Sequence, residues 1–256
     1  MLYLAAGIPV AVIAAWWWRR EAGRTARLRR CAQERRLRFS RHDILDVHQR
    51  YGALALMRLG HSRRAWDTFF GMHEHGVWLG FFDCCDLGFA ADRFAIRRCV
   101  ATLEIHTGVE AVCLPAAVAS REPSFFRTAV DYLGFRPVLA AGPGGADTPG
   151  APCPAAGPGG EAAVDGSRDA APGRCGAPGS HVLYVRRPSA AHSPVVARLL
   201  CAVARYPDDW AWELGEEVLA AVRTLPAGES DCGIISGMLD AVADVAARLR
   251  EPLPGA

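Results

Sequence analysis

The side chains best able to do chemistry in this 256-residue chain gather near one short stretch: His73, His75, Cys84, Cys85 and Asp86. Imidazole nitrogen, thiolate sulfur and carboxylate oxygen are zinc donors, and a structural site needs about four of them converging at ~2.0–2.3 Å. His73 and His75 are two apart and share a face in extended chain. They fall in a polar piece, 72–76, between the β-type runs 65–71 (AWDTFFG) and 77–83 (VWLGFFD), which together read as a hairpin. The histidines then sit at its turn and the cysteines at its open end, roughly 20 Å away at ~3.3 Å per residue. A small structural zinc site at His73, His75, Cys84 and Cys85 is therefore only an alternative reading.

A second chemistry is nucleophilic. Cys84 or Cys85 as thiolate, His106 as base and Asp83 as its orienting carboxylate would make a membrane-tethered hydrolase or thiol enzyme. No local motif supports that set. Glu216 and Glu217, like Asp208 and Asp209, read as charged turns. The two GPGG stretches, 142–145 and 157–160, do not lie between a strand and a helix, so neither is a phosphate loop. No catalytic residue, cofactor or metal ligand is assigned, and the balance leans away from an enzyme.

The elements that would have to position such groups come in a helix, sheet, helix order. Residues 42–59 have helical spacing at Ile44, Val47, Tyr51, Leu54 and Met57. After the hairpin, 96–106 and 109–114 read as strands, and 123–133 as a short helix closed by Gly134. Of the forty residues 141–180, 11 are Gly, 7 Pro and 10 Ala, the composition of a disordered insert. Residues 181–187 resume as a strand. Ser193 caps a helix with Pro194 in its first turn. Strands follow at 210–214, with Trp210 and Trp212 on one face, and at 218–224. A last helix spans about 231–250, with Ser230 as its expected cap and a stripe at 3.6-residue spacing. The fold class expected is α+β: an antiparallel-sheet domain with packed helices, in two parts, 41–140 and 181–250, that share a core across the insert.

The N-terminus sets the expected location. Residues 1–18 (MLYLAAGIPVAVIAAWWW) have no charged side chain, and as a helix they span roughly 27 Å at ~1.5 Å per residue. That is the short end of what a hydrocarbon core of ~30 Å requires. Trp16, Trp17 and Trp18 fit the aromatic belt of a membrane interface, and Arg19 and Arg20 follow at once. Ten arginines lie between Arg19 and Arg41 against Glu21 and Glu34, which leaves the rest of a +2 chain net acidic. The expectation is a transmembrane helix over 1–18 and an Arg-rich juxtamembrane helix over 19–40. This makes a single-pass inner-membrane protein with its N-terminus out and its body cytoplasmic. The arginines would rest on anionic lipid headgroups rather than on nucleic acid. Every basic residue is Arg, which fits high-GC codon usage. The nine cysteines form no CxxC pair and no framework, as expected of reduced thiols.

The order of features resembles a loose group of bacterial, membrane-anchored conserved proteins. The shared features are an apolar leading helix, an Arg-rich helix ending in LRFS and the GVWLGFFD hairpin. The strand ATLEIHTG and the closing WAWELGEEVLAAVRTLP with its terminal helix complete the set. The likeness covers 1–138 and 181–250. It implies a fold and no activity. Where that group has an aromatic after the hairpin Asp, this chain has Cys84-Cys85 after Asp83. The functional expectation is a non-catalytic membrane protein whose α+β domain binds or assembles at the membrane, with protein partner or self-association open.

Overall fold

The computed structural model describes residues 2–58, 63–73, 78–87, 95–119, 130–138, 181–225 and 231–251. Expectations for 139–180, the insert included, and for His75 lie outside the described residues.

Among the described residues, nine strands form one sheet. They are β1 (Arg38–His42), β2 (Arg63–Met72), β3 (Trp78–Leu87), β4 (Ala95–Glu104), β5 (Ala111–Pro115), β6 (Arg136–Pro137), β7 (His181–Val185), β8 (Trp210–Leu214) and β9 (Val218–Leu225). Their order is β1-β2-β3-β4-β9-β8-β5-β7-β6, with every neighbouring pair antiparallel. β4 and β5 are consecutive in the chain, yet the C-terminal strands β9 and β8 lie between them.

Alternation along the strands builds two cores. Phe69, Phe81, Ala101, Leu103, Cys113, Leu183, Trp212, Leu219 and Ala221 face one side. There they meet the helices α1 (Leu2–Glu34), α4 (Pro194–Val203) and α5 (Cys232–Arg250). Phe82, Val100, Val112, Leu114, Tyr184, Ala220 and Val222 face the other. Their cover is thin: α2 (Val47–Arg50), a 3-10 turn at Ala55–Met57, α3 (Ala116–Ala119) and the residues Val130 and Phe135. A period of two on a strand puts every second side chain on one face, so each strand supplies both cores. Helix α5 buries Ile235, Met238, Leu239, Val242, Val245, Ala246 and Leu249, the stripe read from the sequence. Ser193 caps α4 by accepting a hydrogen bond from Val195 N. Asp231, not Ser230, caps α5, with its carboxylate accepting from Ile234 N at 2.8 Å.

Two expectations are overturned. No helix among the described residues is long and apolar enough to cross a membrane. The transmembrane helix over 1–18, and with it the single-pass inner-membrane placement, is therefore withdrawn. Residues 2–34 are one helix without a break at Trp18. A span needs ~20 predominantly apolar residues. Here the uncharged run is shorter, is diluted by Tyr3, Gly7, Pro9 and three tryptophans, and passes straight into Arg19 and Arg20. The fold is the nine-stranded antiparallel sheet with its C-terminal helix, and not a spanning helix followed by a domain.

The second concerns residues 42–59. They form two short helical pieces instead of one helix. Asp46 adopts a left-handed conformation at φ 48° before α2. Further on, the N–H groups of Ala55 and Leu56 donate to the Glu213 carboxylate at 2.5 and 2.8 Å. In a continuous helix those donors would go to carbonyls four residues back.

Candidate functional site

Among the described residues, those singled out by type are not brought together by the strand register. His73 follows β2 at the turn end of the hairpin, where Met72 pairs with Trp78. Cys84 and Cys85 pair with Ala65 and Arg64 at the far end. Six residues of strand separate Cys84 from Trp78, roughly 20 Å. No group of three or more His, Cys, Asp or Glu among the described residues could hold a metal ion. The nucleophilic set fails in the same way. Cys84 pairs with Arg98 on β4, and His106 is exposed eight residues further along, past the opposite end of that strand. Asp83 is buried to 1% and lies 3.8 Å from the Arg24 guanidinium. Cys113 is fully buried and its thiol is pushed up to about 12 by burial, which leaves it inert. Glu216 sits exposed in the β8–β9 turn, and Asp209 pairs with Arg223 at 2.9 Å. Trp210 and Trp212 share a face, with ring centroids 5.9 Å apart.

What the fold does assemble is a charged corner where α1 crosses the sheet. β2 carries one extra residue between Trp66 and Phe69 relative to β3, a β-bulge. Asp67 lies in it with φ 50°. Aspartate tolerates that left-handed conformation better than most side chains. The bulge aims the Asp67 carboxylate under α1, where it accepts from Arg24 Nη2 at 2.5 Å. Both residues are buried. Burial lifts the Asp67 carboxyl above its ordinary value, while the Arg24 guanidinium pulls it back. Glu21, one turn earlier on α1, lies 3.8 Å from Arg24 and 2.5 Å from Arg41 of β1. A cavity of about 310 Å³ opens above the corner, lined by Trp17, Glu21, Arg41, His42, Trp66 and Asp67. Charge pairs of this kind anchor a helix to the sheet beneath it.

Beyond the corner α1 runs clear of the sheet. Val12, Ile13, Trp16, Trp17 and Trp18 are 60–75% exposed. Val12, Ile13, Trp16 and Trp17 lie on one face by their spacing. The Arg20 guanidinium stacks 5.7 Å from the Trp16 ring. The predicted interface residues Trp16, Trp17, Trp18, Arg19 and Arg20 are thus contiguous and exposed.

A second buried charge escaped sequence reasoning. Glu213 on β8 is 2% exposed, and burial pushes its carboxyl up to about 7 against the two backbone N–H bonds that favour ionisation. Arg98, also buried, donates to the Leu56 carbonyl of the same turn. Alternation along WAWEL could have placed Glu213 on the face opposite Trp210 and Trp212. Nothing local could have said that this face is covered.

No protein-family model and no curated protein matches the sequence. Among solved structures, the chain is similar to the crystal structure of the mycobacterial trehalose monomycolate transport factor A, TtfA. The TM-score is 0.53 and the identity 14%, over 91% of this chain and 98% of that one. At that identity the likeness is one of fold.

Proposed function

We propose that this chain is a non-catalytic, membrane-associated binding or assembly factor that rests on an anionic lipid surface through the outer half of α1. The observation that carries this reading is the exposed sequence Trp16-Trp17-Trp18-Arg19-Arg20 at the point where α1 leaves the sheet. Indole rings favour the headgroup level of a bilayer. An exposed helix of this kind lies in the interface plane, where apolar burial and attraction to anionic lipid add together. Each arginine near such a surface contributes about 1 kcal/mol. Neither Arg19 nor Arg20 has a carboxylate partner among the described residues. The buried Arg24–Asp67 pair then fixes the angle between lipid surface and sheet. Likeness of fold to a transport factor agrees with a role in binding or assembly rather than catalysis.

The test is co-sedimentation of the full chain with vesicles. Binding is expected to vesicles containing phosphatidylglycerol, to weaken as salt rises, and to fall at least tenfold in the Trp16→Ala, Trp17→Ala, Trp18→Ala triple variant. Equal binding to purely phosphatidylcholine vesicles, or full binding by the triple variant, would overturn the reading.

A further inference from the structure

Further along α1 from the charged corner, the helix packs against α5, and the two present matched rows. Arg27, Cys31 and Arg35 are one turn apart on α1, as are Cys232, Ser236 and Asp240 on α5. The Cys232 thiol donates to the Arg27 carbonyl at 3.6 Å. Cys31 Sγ lies 3.8 Å from Ser236 Oγ. Arg35 Nε donates to Ser236 Oγ at 3.0 Å, and its two Nη groups donate to the Asp240 carboxylate at 2.6 and 2.7 Å. Each thiol therefore touches the residue one turn away from the other thiol. The thiols of Cys31 and Cys232 also hydrogen-bond each other.

Both cysteines are free. A disulfide needs Cβ atoms about 3.5–4.5 Å apart, which only closely packed backbones allow. Here the Cys232 sulfur already reaches the backbone of α1, so the two helices stand one short side chain apart at this level. Access is unequal. Cys232 is the first residue of α5 and half-buried, while Cys31 is 5% exposed. A reagent therefore meets Cys232 first. Burial, then the neighbouring Cys31 and Asp231, hold the Cys232 thiol above its ordinary value against the pull of Arg27. Little of it is thiolate near neutral pH, so exchange there is slow.

We infer that Cys31 and Cys232 form a modification site, closed to a disulfide by exchange with a small-molecule disulfide. The Cys232 thiolate attacks one sulfur of the reagent and expels the other half as a thiolate, leaving a mixed disulfide. The Cys31 thiolate then attacks the Cys232 sulfur and expels the second half. The reagent is reduced to two thiols, and the protein gives up two protons and two electrons. The bond closes between the Arg24–Asp67 and Arg35–Asp240 pairs and makes the docking of α1 covalent. It is independent of the lipid reading, since a chain that ignores vesicles still oxidises here. The test is incubation of the full chain with excess glutathione disulfide at about pH 8.5, where more thiolate forms, until the count of free thiols is constant. Peptide mapping without reductant should then show Cys31 joined to Cys232, and dithiothreitol should release the link. The oxidised chain should melt at least about 5 °C above the reduced one, because the link closes a loop of about 200 residues in the unfolded chain. Cys232→Ser, at a half-buried position, should lose both the link and the rise. The site is overturned if Cys31 and Cys232 are recovered as thiols or as separate glutathione adducts, or if either is joined to the exposed Cys201 instead. An oxidised chain that melts no higher, or an equal rise in Cys232→Ser, overturns it as well.

Discussion

The two halves of α1 have the same helical period and opposite fates. From Arg24 on, positions 24, 28, 31 and 32 are buried against the sheet and α5. From Val12 to Trp18 the side chains named above have no protein to cover them. The inner half is the polar one by composition, with arginines at 24, 27, 29 and 30, and yet it is the half that packs. The apolar stretch from Val12 to Trp18 is the one left out. Burial here follows position relative to the sheet, and Arg24, the buried arginine of this half, is tolerated because a β-bulge supplies its carboxylate. An apolar stretch left bare by its own fold is more informative about partners than a buried one.

Breaking the inner half should have the largest effect. Arg24→Met leaves Asp67 buried without its guanidinium, which is expected to cost about 3–5 kcal/mol in urea unfolding. The loss should grow with pH, because the buried carboxylate then has to ionise. The double variant with Asp67→Asn should recover part of it, since it removes the Asp67 charge, while Asp83, 3.8 Å from the Arg24 guanidinium in the native protein, keeps its own. A loss under 1 kcal/mol for Arg24→Met would mean that the corner does not anchor the helix.

Glu213 on the opposite face gives the next effect. Its folded-state pKa is raised, so the native protein holds a proton that the unfolded chain releases. The associated stability is full below the ordinary carboxylate range and is lost as pH rises through about 7. Stability should therefore fall between pH 5 and pH 8 by on the order of 3 kcal/mol from this group. Glu213→Gln should flatten that slope, and deletion of residues 2–18 should leave it unchanged. A slope unaltered in the glutamine variant would assign it to other groups.

Asp231→Ala removes the cap of α5, against which the inner half of α1 lies, and should cost about 1 kcal/mol by thermal denaturation. The triple tryptophan variant should change folding stability by less than about 0.5 kcal/mol, because exposed side chains without contacts contribute little. That near-zero value, set beside a large loss of vesicle binding, is the sharpest form of the contrast between the halves.

Much of the local structure was legible. The Phe-rich hairpin, the Ser193 cap and the stripe of α5 depend on neighbours within a few residues, and propensity and period report on those. The sheet order was not legible, because no local signal makes β9 and β8 enter between β4 and β5. The helical spacing of 42–59 misled for a related reason. Its donors are taken by Glu213, 157 residues away at Leu56, and a long-range acceptor overrides a local pattern. The charged corner was hidden in the same way: Arg24 and Asp67 are 43 residues apart, and the bulge that joins them has no glycine to mark it. The apolar N-terminus was read by its length and flanks as a span, while its continuity with a helix docked on the sheet could not be seen.

The insertion of β9 and β8 between β4 and β5 makes the chain a natural fragment-complementation pair. Expressed separately, 1–138 would have β4 and β5 with a two-strand gap between them, and 181–256 would have β7 separated from β8 by the missing β5. The first piece keeps β1-β2-β3-β4 as a run but leaves β5 stranded, the second keeps only β8 beside β9, and each supplies the strands the other lacks. Co-expressed, they should re-form the nine-stranded sheet without the intervening residues, so that a reporter divided between the two pieces would light up only on assembly.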